Sequence, residues 1–288
     1  MESKQPVQLG QVQESLLVPL YARALDSLKK RPILKDPKAV EIVQSIAWDF
    51  QRFNQRERMV GCVLRTAAFD EYVKGFLSRH PQGTVVEIGA GLNTRFERLD
   101  NGALHWFDLD LPDSVAMRRR FFADSERRTT LAASILDSSW IAAVRQSPGP
   151  YCFVAEAVLI YLTEPEVKTA LGQIAANFPG ATIAFDTTTR KGIERGNKDH
   201  ARRNLGARFV WACEAPGEIE GWKIGLRLVE SHSMFEIPGT LRSRVSLRGR
   251  AMLRVLLRLI PEMKRAYRLN LFTVQSEAGR PSLDPPLN

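Results

Sequence analysis

Apolar residues recur at three- and four-residue spacing from about residue 11 to residue 80, and the rhythm changes after that. "QESLLVPLYARALDSLKKR" and "ERMVGCVLRTAAFDEYVKGFLSRHP" each carry one apolar stripe, the pattern of a helix packed on one side. "DPKAVEIVQSI" opens with Asp36 as an N-cap and Pro37 at the first helical position. From residue 84 the apolar runs shorten to "TVVEIG", "ALHWFDLD", "YCFVAEAVLIYL" and "GATIAFDTT", each ending in an acid or a turn. The helical stretches "PDSVAMRRRFFADSE", "SSWIAAVRQ" and "EPEVKTALGQIAANF" lie between them. "WKIGLRLVESHSM" and "AYRLNLFTVQS" read as two later strands. Short buried strands alternating with helices predict an α/β fold, doubly wound, with a mostly parallel Rossmann-like sheet covered on both faces. A helical N-terminal extension and helical insertions near the C-terminus complete it. The expected division is 1–80 for the extension or lid, 81–275 for the α/β domain, and 276–288, "SEAGRPSLDPPLN", for a disordered tail.

Composition narrows the class. With 288 residues, 44% hydrophobic and 25% charged, the chain can bury a sizeable core. No apolar run approaches the roughly 18 residues of a membrane span. The apolar patch at residues 16–20 is broken by Pro19, which argues against a signal peptide. Cys62, Cys152 and Cys213 lie far apart in apolar surroundings, so a zinc site or disulfide framework is not expected and a cytoplasmic setting is. The net charge of +9 gathers between residues 242 and 268. There Arg250, Arg254 and Arg258 form a narrow basic stripe on an amphipathic helix. The stripe reads as a solvated face or as attraction for an anionic partner. Nucleic acid is disfavoured, because stacking aromatics are sparse in this stretch.

The most informative stretch is "VVEIGAGLNTRFERL", residues 85–99. Gly89 and Gly91 follow an apolar strand in G-x-G spacing, at the sheet edge where doubly wound folds bind ligands. Thr94 stands where a dinucleotide motif needs its third glycine, so the pyrophosphate cradle is absent. Asp108 and Asp110 close the second strand 17 and 19 residues after Gly91, and an acid there can accept hydrogen bonds from both ribose hydroxyls. Glu87 adds a further acid in front of the turn. An adenosine-containing ligand with cationic groups fits, and S-adenosylmethionine meets that description, with S-adenosylhomocysteine as product and no metal required.

Several motifs in fixed order carry a resemblance. "VVEIGAGLNTRFERL", "WFDLDLPD", "LAASILDSSW" and "FVAEAVLIYLTEPEV", with "VQESLLVPLYARA", "ILKDPKAVEI", "LRTAAFDEYV" and "YRLNLF", are similar to the leucine carboxyl methyltransferase family over about residues 8–275. The closer match is to its bacterial branch, which methylates polyketide carboxyl groups. The resemblance implies an S-adenosylmethionine-dependent O-methyltransferase on a class I sheet. Arg65 would pair with the cofactor's carboxylate as a bidentate fork, where the residue alone reads equally as a surface helix arginine. Gly89 and Gly91 would line the methionine portion, and Asp110 the ribose, with Asp108 as rival. Ser134 and Ile135 would flank the adenine. Glu156 would meet the ammonium, since a carboxylate in so apolar a run needs a cationic partner. Asn93 and Ser134 depart from the family, which has an acid at each place; Asp137 or backbone could make the adenine contact instead. Arg95 and Glu97 are expected to stabilise the turn.

The acceptor is less legible. A carboxylate is ionised near neutrality and needs no base, whereas a phenol does. His80 and His105 read as structural. His200 and His232 are the plausible bases, neither in a recognisable constellation, and this favours a carboxylate. Tyr161 reads evenly as core packing or substrate contact, and Asp186 could face the acceptor. Basic residues in "TRKGIERGNKDHARRN" could attract an acidic substrate. The expected partner is a small acidic or phenolic molecule, with neither nucleic acid nor membrane; oligomeric state is not encoded legibly. Competing readings are methylation of a protein C-terminal carboxylate or an RNA-base carboxyl, and a cofactor-binding scaffold without turnover.

Overall fold

The computed structural model describes residues 5–6, 14–50, 56–202, 206–236, 239–245, 247–260 and 262–275. The tail expected over 276–288 lies outside the described residues. A two-residue strand, β1 (Gln5–Pro6), pairs in parallel with β2 (Ile46–Ala47). The front stripes form α1 (Glu14–Ser27), α2 (Pro37–Ser45) and α3 (Arg56–Arg79). Asp36 caps α2 as the sequence predicts, its carboxylate accepting the Ala39 N–H at 3.0 Å.

Seven strands form the main sheet: β3 (Thr84–Ile88), β4 (His105–Asp110), β5 (Arg128–Ala132), β6 (Tyr151–Ala155), β7 (Thr182–Thr188), β8 (Leu226–Ser233) and β9 (Tyr267–Val274). Their order is β5-β4-β3-β6-β7-β9-β8. The first five run parallel, and β9 is antiparallel to both its neighbours. Between them lie α4 (Arg95–Leu99), α5 (Pro112–Arg118), α6 (Ser139–Val144), α7 (Glu164–Asn177), α8 (Arg190–Arg202), α9 (Leu247–Leu259) and α10 (Met263–Ala266). This is the doubly wound architecture read from the alternating runs. β5 escaped the apolar pattern because it is an edge strand of alternating burial. The run "YCFVAEAVLIYL" is not one strand. It leaves the sheet after Ala155, where Ala157 takes φ 56°, and Leu159–Tyr161 form a 3-10 turn.

Pleat alternation divides the core. Val86 and Ile88 join Phe107, Leu109 and Phe153 under Trp140 of α6 and Leu171 and Ile174 of α7. On the other face Val85, Trp106 and Val154 pack against Phe69, Val73 and Phe76 of α3. The front half of α3 joins α1 and α2 in a third cluster, which also takes Leu92 from the turn after β3. The winding reverses at β3, flanked by β4 on one side and β6 on the other. The crevice of a doubly wound sheet opens there, at the strands' carboxyl ends.

Candidate functional site

After β3 the chain turns through Gly89 and Gly91, at φ 62° and 45°. A Cβ on Gly89 would lie 2.4 Å from Val158 Cγ2, and one on Gly91 2.9 Å from Leu16 Cδ2. Both the sign of φ and the close approach require glycine. Arg118 of α5 staples the turn by donating to the carbonyls of Gly91 at 2.7 Å and Asn93 at 2.9 Å. Asp110, at the end of β4, accepts the N–H of Gly91 at 2.6 Å and of Leu111 at 2.7 Å.

A chain of ion pairs runs behind the turn. Arg95, fully buried, donates to Asp70 at 2.8 Å, to Glu156 at 2.6 Å and to Glu87. Arg98 joins Asp70 and Asp36, and Arg23 of α1 donates to Asp36 at 2.9 Å and to the Leu92 carbonyl at 2.7 Å. Buried charges of this number persist because each is matched. Glu156 closes the chain just beyond β6. Its Oε1 accepts from Arg65 Nε at 2.9 Å and from Thr66 Oγ1 at 2.8 Å. Burial works to raise its pKa, but Arg65 and Arg95 outweigh that and hold it at about 2. Asp186, at the end of β7, accepts the Ala157 N–H at 3.0 Å and the Tyr267 hydroxyl at 2.6 Å. Burial pushes its carboxyl up to about 6, with Arg65 and the Tyr267 hydrogen bond pulling the other way.

A cavity of about 540 Å³ opens in front of these groups. Arg65, Glu156, Gly89, Gly91, Arg23 and Tyr267 line its charged side. Leu16, Val18 and Pro19 of α1, with Ile160, Tyr161, Phe209 and Met234, form apolar walls, and α8 supplies Arg195 and His200.

The residues singled out from the sequence divide accordingly. Arg65, Gly89, Gly91, Glu156, Tyr161 and His200 meet at the cavity. Asp110, with half-buried Ser134, lies along the carboxyl ends of β4 and β5. Ile135 is 6% exposed and packs into the core. Three candidates lie apart from the cavity lining. Asp108 is 1% exposed and consumed by Arg118, Arg128 and the Trp106 indole N–H, so its carboxylate serves the sheet. Glu87 sits directly opposite it in register, is held by Arg95 and Asn93, and does not line the cavity. These two in-register carboxylates explain why so many guanidinium groups are buried here. His232 lies exposed on the edge strand β8 beside Glu230 and Glu236, away from the cavity. Asp186 does reach the site, but behind Tyr267 and Arg65. Residues that the reading missed are Arg23, Thr66, Arg118 and Tyr267. An arginine interrupting the apolar stripe of a helix, as Arg23 does in "LYARAL", was the available signal.

The model of the leucine carboxyl methyltransferase family matches residues 17–175. Among curated proteins, the chain is 30% identical over 271 residues to the tetracenomycin polyketide synthesis O-methyltransferase TcmP of Streptomyces glaucescens, covering 93% of this chain and 98% of that protein. It is 27% identical over 251 residues to the S-adenosyl-L-methionine-dependent methyltransferase dpfgK of Gibberella zeae, covering 79% and 84%. Among solved structures, a duf574 family protein from Streptomyces avermitilis superposes with a TM-score of 0.55 at 13% identity, over 92% of this chain and 100% of that one, a likeness of fold.

Proposed function

The chain belongs to the leucine carboxyl methyltransferase family, and from that premise we propose that it methylates a carboxylate of a small, largely apolar molecule, using S-adenosylmethionine. Bound in the cavity, the cofactor supplies an electrophilic methyl group: a carboxylate oxygen takes it as the carbon–sulfur bond breaks, leaving a neutral ester and a thioether, with no proton transferred.

The observation that carries the reading is the unfinished hydrogen bonding of the Arg65–Glu156 pair. Arg65 uses Nε on Glu156 and Nη1 on the Tyr267 hydroxyl, and its Nη2 has no partner among the described residues. Glu156 accepts three bonds from Arg65, Thr66 and Arg95, one short of the four a carboxylate can take. A paired donor and acceptor left open at a cavity complement an amino-acid zwitterion, the ammonium at Glu156 and the carboxylate at Arg65. Gly89 and Gly91 let the backbone approach the methionine portion. Asp110 is left as the ribose acceptor, since Asp108 is spent on guanidinium groups. Ser134 and Ile135 would border the adenine, with Asp137, which accepts the Ser134 N–H at 3.0 Å, as the further polar group.

A volume near 540 Å³ suits a small-molecule site. The chain's own part in the reaction is to align the acceptor and keep water out. The test is the product. Mild alkali should release methanol from an ester, and an alkali-stable methyl ether would overturn the carboxylate assignment.

One observation favours a second reading, transfer to a phenol. His200 lines the cavity, and its Nδ1 lies 2.7 Å from the Ala207 carbonyl. That bond fixes the proton on Nδ1 and makes Nε2 the basic nitrogen. Under this reading turnover collapses in His200→Ala. Under the carboxylate reading His200→Ala retains turnover.

A further inference from the structure

We propose that Arg195 of α8 is the residue that recognises the acceptor's carboxylate. This rests on the carboxyl-transfer reading above and deepens it by naming the residue that holds the acceptor.

α8 turns one face to the cavity. Gly192, Arg195, Gly196, Asp199 and His200 all line it, at the three- and four-residue steps that share a helix face. The helix is pressed hard against the chamber wall. A Cβ on Gly192 would fall 2.1 Å from Thr188 Oγ1, and one on Gly196 2.3 Å from the Phe209 ring. Glycine at both places brings the helix backbone itself to the wall, with the Arg195 side chain between them.

Charge separates Arg195 from the other arginines of the cavity. Arg23 is committed to Asp36 and Arg65 to Glu156. Arg195 has neither an ion pair nor a hydrogen bond among the described residues. A cation that lines the cavity without an ion pair can take an anion there. Its planar guanidinium also matches a carboxylate better than a lysine would.

The adjoining surface is aromatic and aliphatic. Tyr161 packs against Phe209 with the rings tilted by 60° and their centroids 5.1 Å apart, and Phe209 meets the His200 ring at 4.5 Å, tilted by 57°. These rings, with Ile160 and Met234, give the apolar part of the acceptor a surface to pack against. Because Arg195 is solvent-exposed, its pairing is screened. It can therefore orient a carboxylate without greatly weakening it as a nucleophile. The same contact distinguishes substrate from product, because the ester carries no charge for Arg195 to hold.

Calorimetry on the full chain, with and without S-adenosylhomocysteine, tests this with 2-naphthoate and its neutral isostere 2-naphthamide. The unaltered protein should bind the acid roughly two- to fivefold more tightly, the range for an exposed, screened ion pair. Arg195→Gln should erase that preference while leaving the S-adenosylhomocysteine affinity unchanged, and Arg195→Lys should restore part of it. Survival of the preference in Arg195→Gln, or its absence from the unaltered protein, overturns the proposal. If the acid binds through Arg195 but no ester forms with S-adenosylmethionine, the recognition site stands and the carboxyl-transfer reading falls.

Discussion

Glu156 stands between two guanidinium groups with one lone-pair direction unused; its titration follows from that, and so does the ammonium contact proposed for it. Glu156→Gln and Arg65→Ala should each weaken S-adenosylmethionine binding by about 1.5–3 kcal/mol, the range for hydrogen bonds to charged groups. Asp108→Asn should cost stability and leave the affinity of the folded protein unchanged; a comparable loss of affinity in titration calorimetry would return Asp108 to the ribose role. The two acids of the site oppose each other in pH. Glu156 is held below the ordinary 4.5, at about 2, by Arg65 and Arg95 against the effect of burial. Its stabilisation is therefore present above pH 4.5 and lost as pH falls through 2. Asp186 is raised by burial from 3.8 to about 6. Its contribution is present below pH 3.8 and lost as pH rises through 6. Denaturant titrations at pH 4 and pH 7 should thus show Asp186→Asn gaining on the unaltered protein at the higher pH. Parallel behaviour at both would mean that the carboxyl titrates normally.

At the scale of elements, the glycine turn is fixed from three sides: by Leu16 of α1, by Val158 beyond β6 and by Arg118 of α5. Gly89→Ala meets both a left-handed backbone, costing roughly 1–2 kcal/mol, and a Cβ 2.4 Å from Val158 Cγ2, for which overpacking adds about 1–3 kcal/mol. Its melting temperature should fall, and cofactor affinity with it, as the turn shifts. An unchanged thermal profile would show that Val158 yields freely. The strands that carry this turn were legible because a parallel sheet covered on both faces needs continuous apolar runs. β5 was not, since an edge strand buries only alternate residues. The break after Ala155 was not either. Apolar residues continue through it to Leu162, and only the positive φ of Ala157, whose N–H is taken by Asp186, ends the strand.

Across the whole molecule, α3 packs on the sheet through Phe69, Val73 and Phe76 while its front half holds α1 and α2. Movement of α3 would therefore uncover the sheet; for the extension expected as a lid we propose that any opening is confined to α1, whose Leu16, Val18 and Pro19 line the cavity. Saturating S-adenosylhomocysteine should stabilise the folded chain by roughly 2.7 kcal/mol at a hundredfold excess over its Kd, and NAD should not. Equal stabilisation by NAD in a thermal shift series would contradict the zwitterion site proposed at Arg65 and Glu156. Among the described residues no helix is long and apolar enough to cross a membrane.

The sequence by itself determined the sheet, the glycine turn and the family, because periodicity, φ-demanding glycines and ordered motifs are local properties of the chain. Of the candidate site it reached Arg65, Gly89, Gly91 and Glu156, which stand in such motifs. Asp108 and Asp110 could not be separated, as both lie on one pleat face. Only the packing of Arg118 and Arg128 against Asp108 distinguishes them. Arg23, Thr66 and Tyr267 come from α1, α3 and β9, elements far apart along the chain. Tertiary structure decided their roles, because the pairing of a buried charge depends on which side chains the fold brings within hydrogen-bond distance, and no local pattern carries that information.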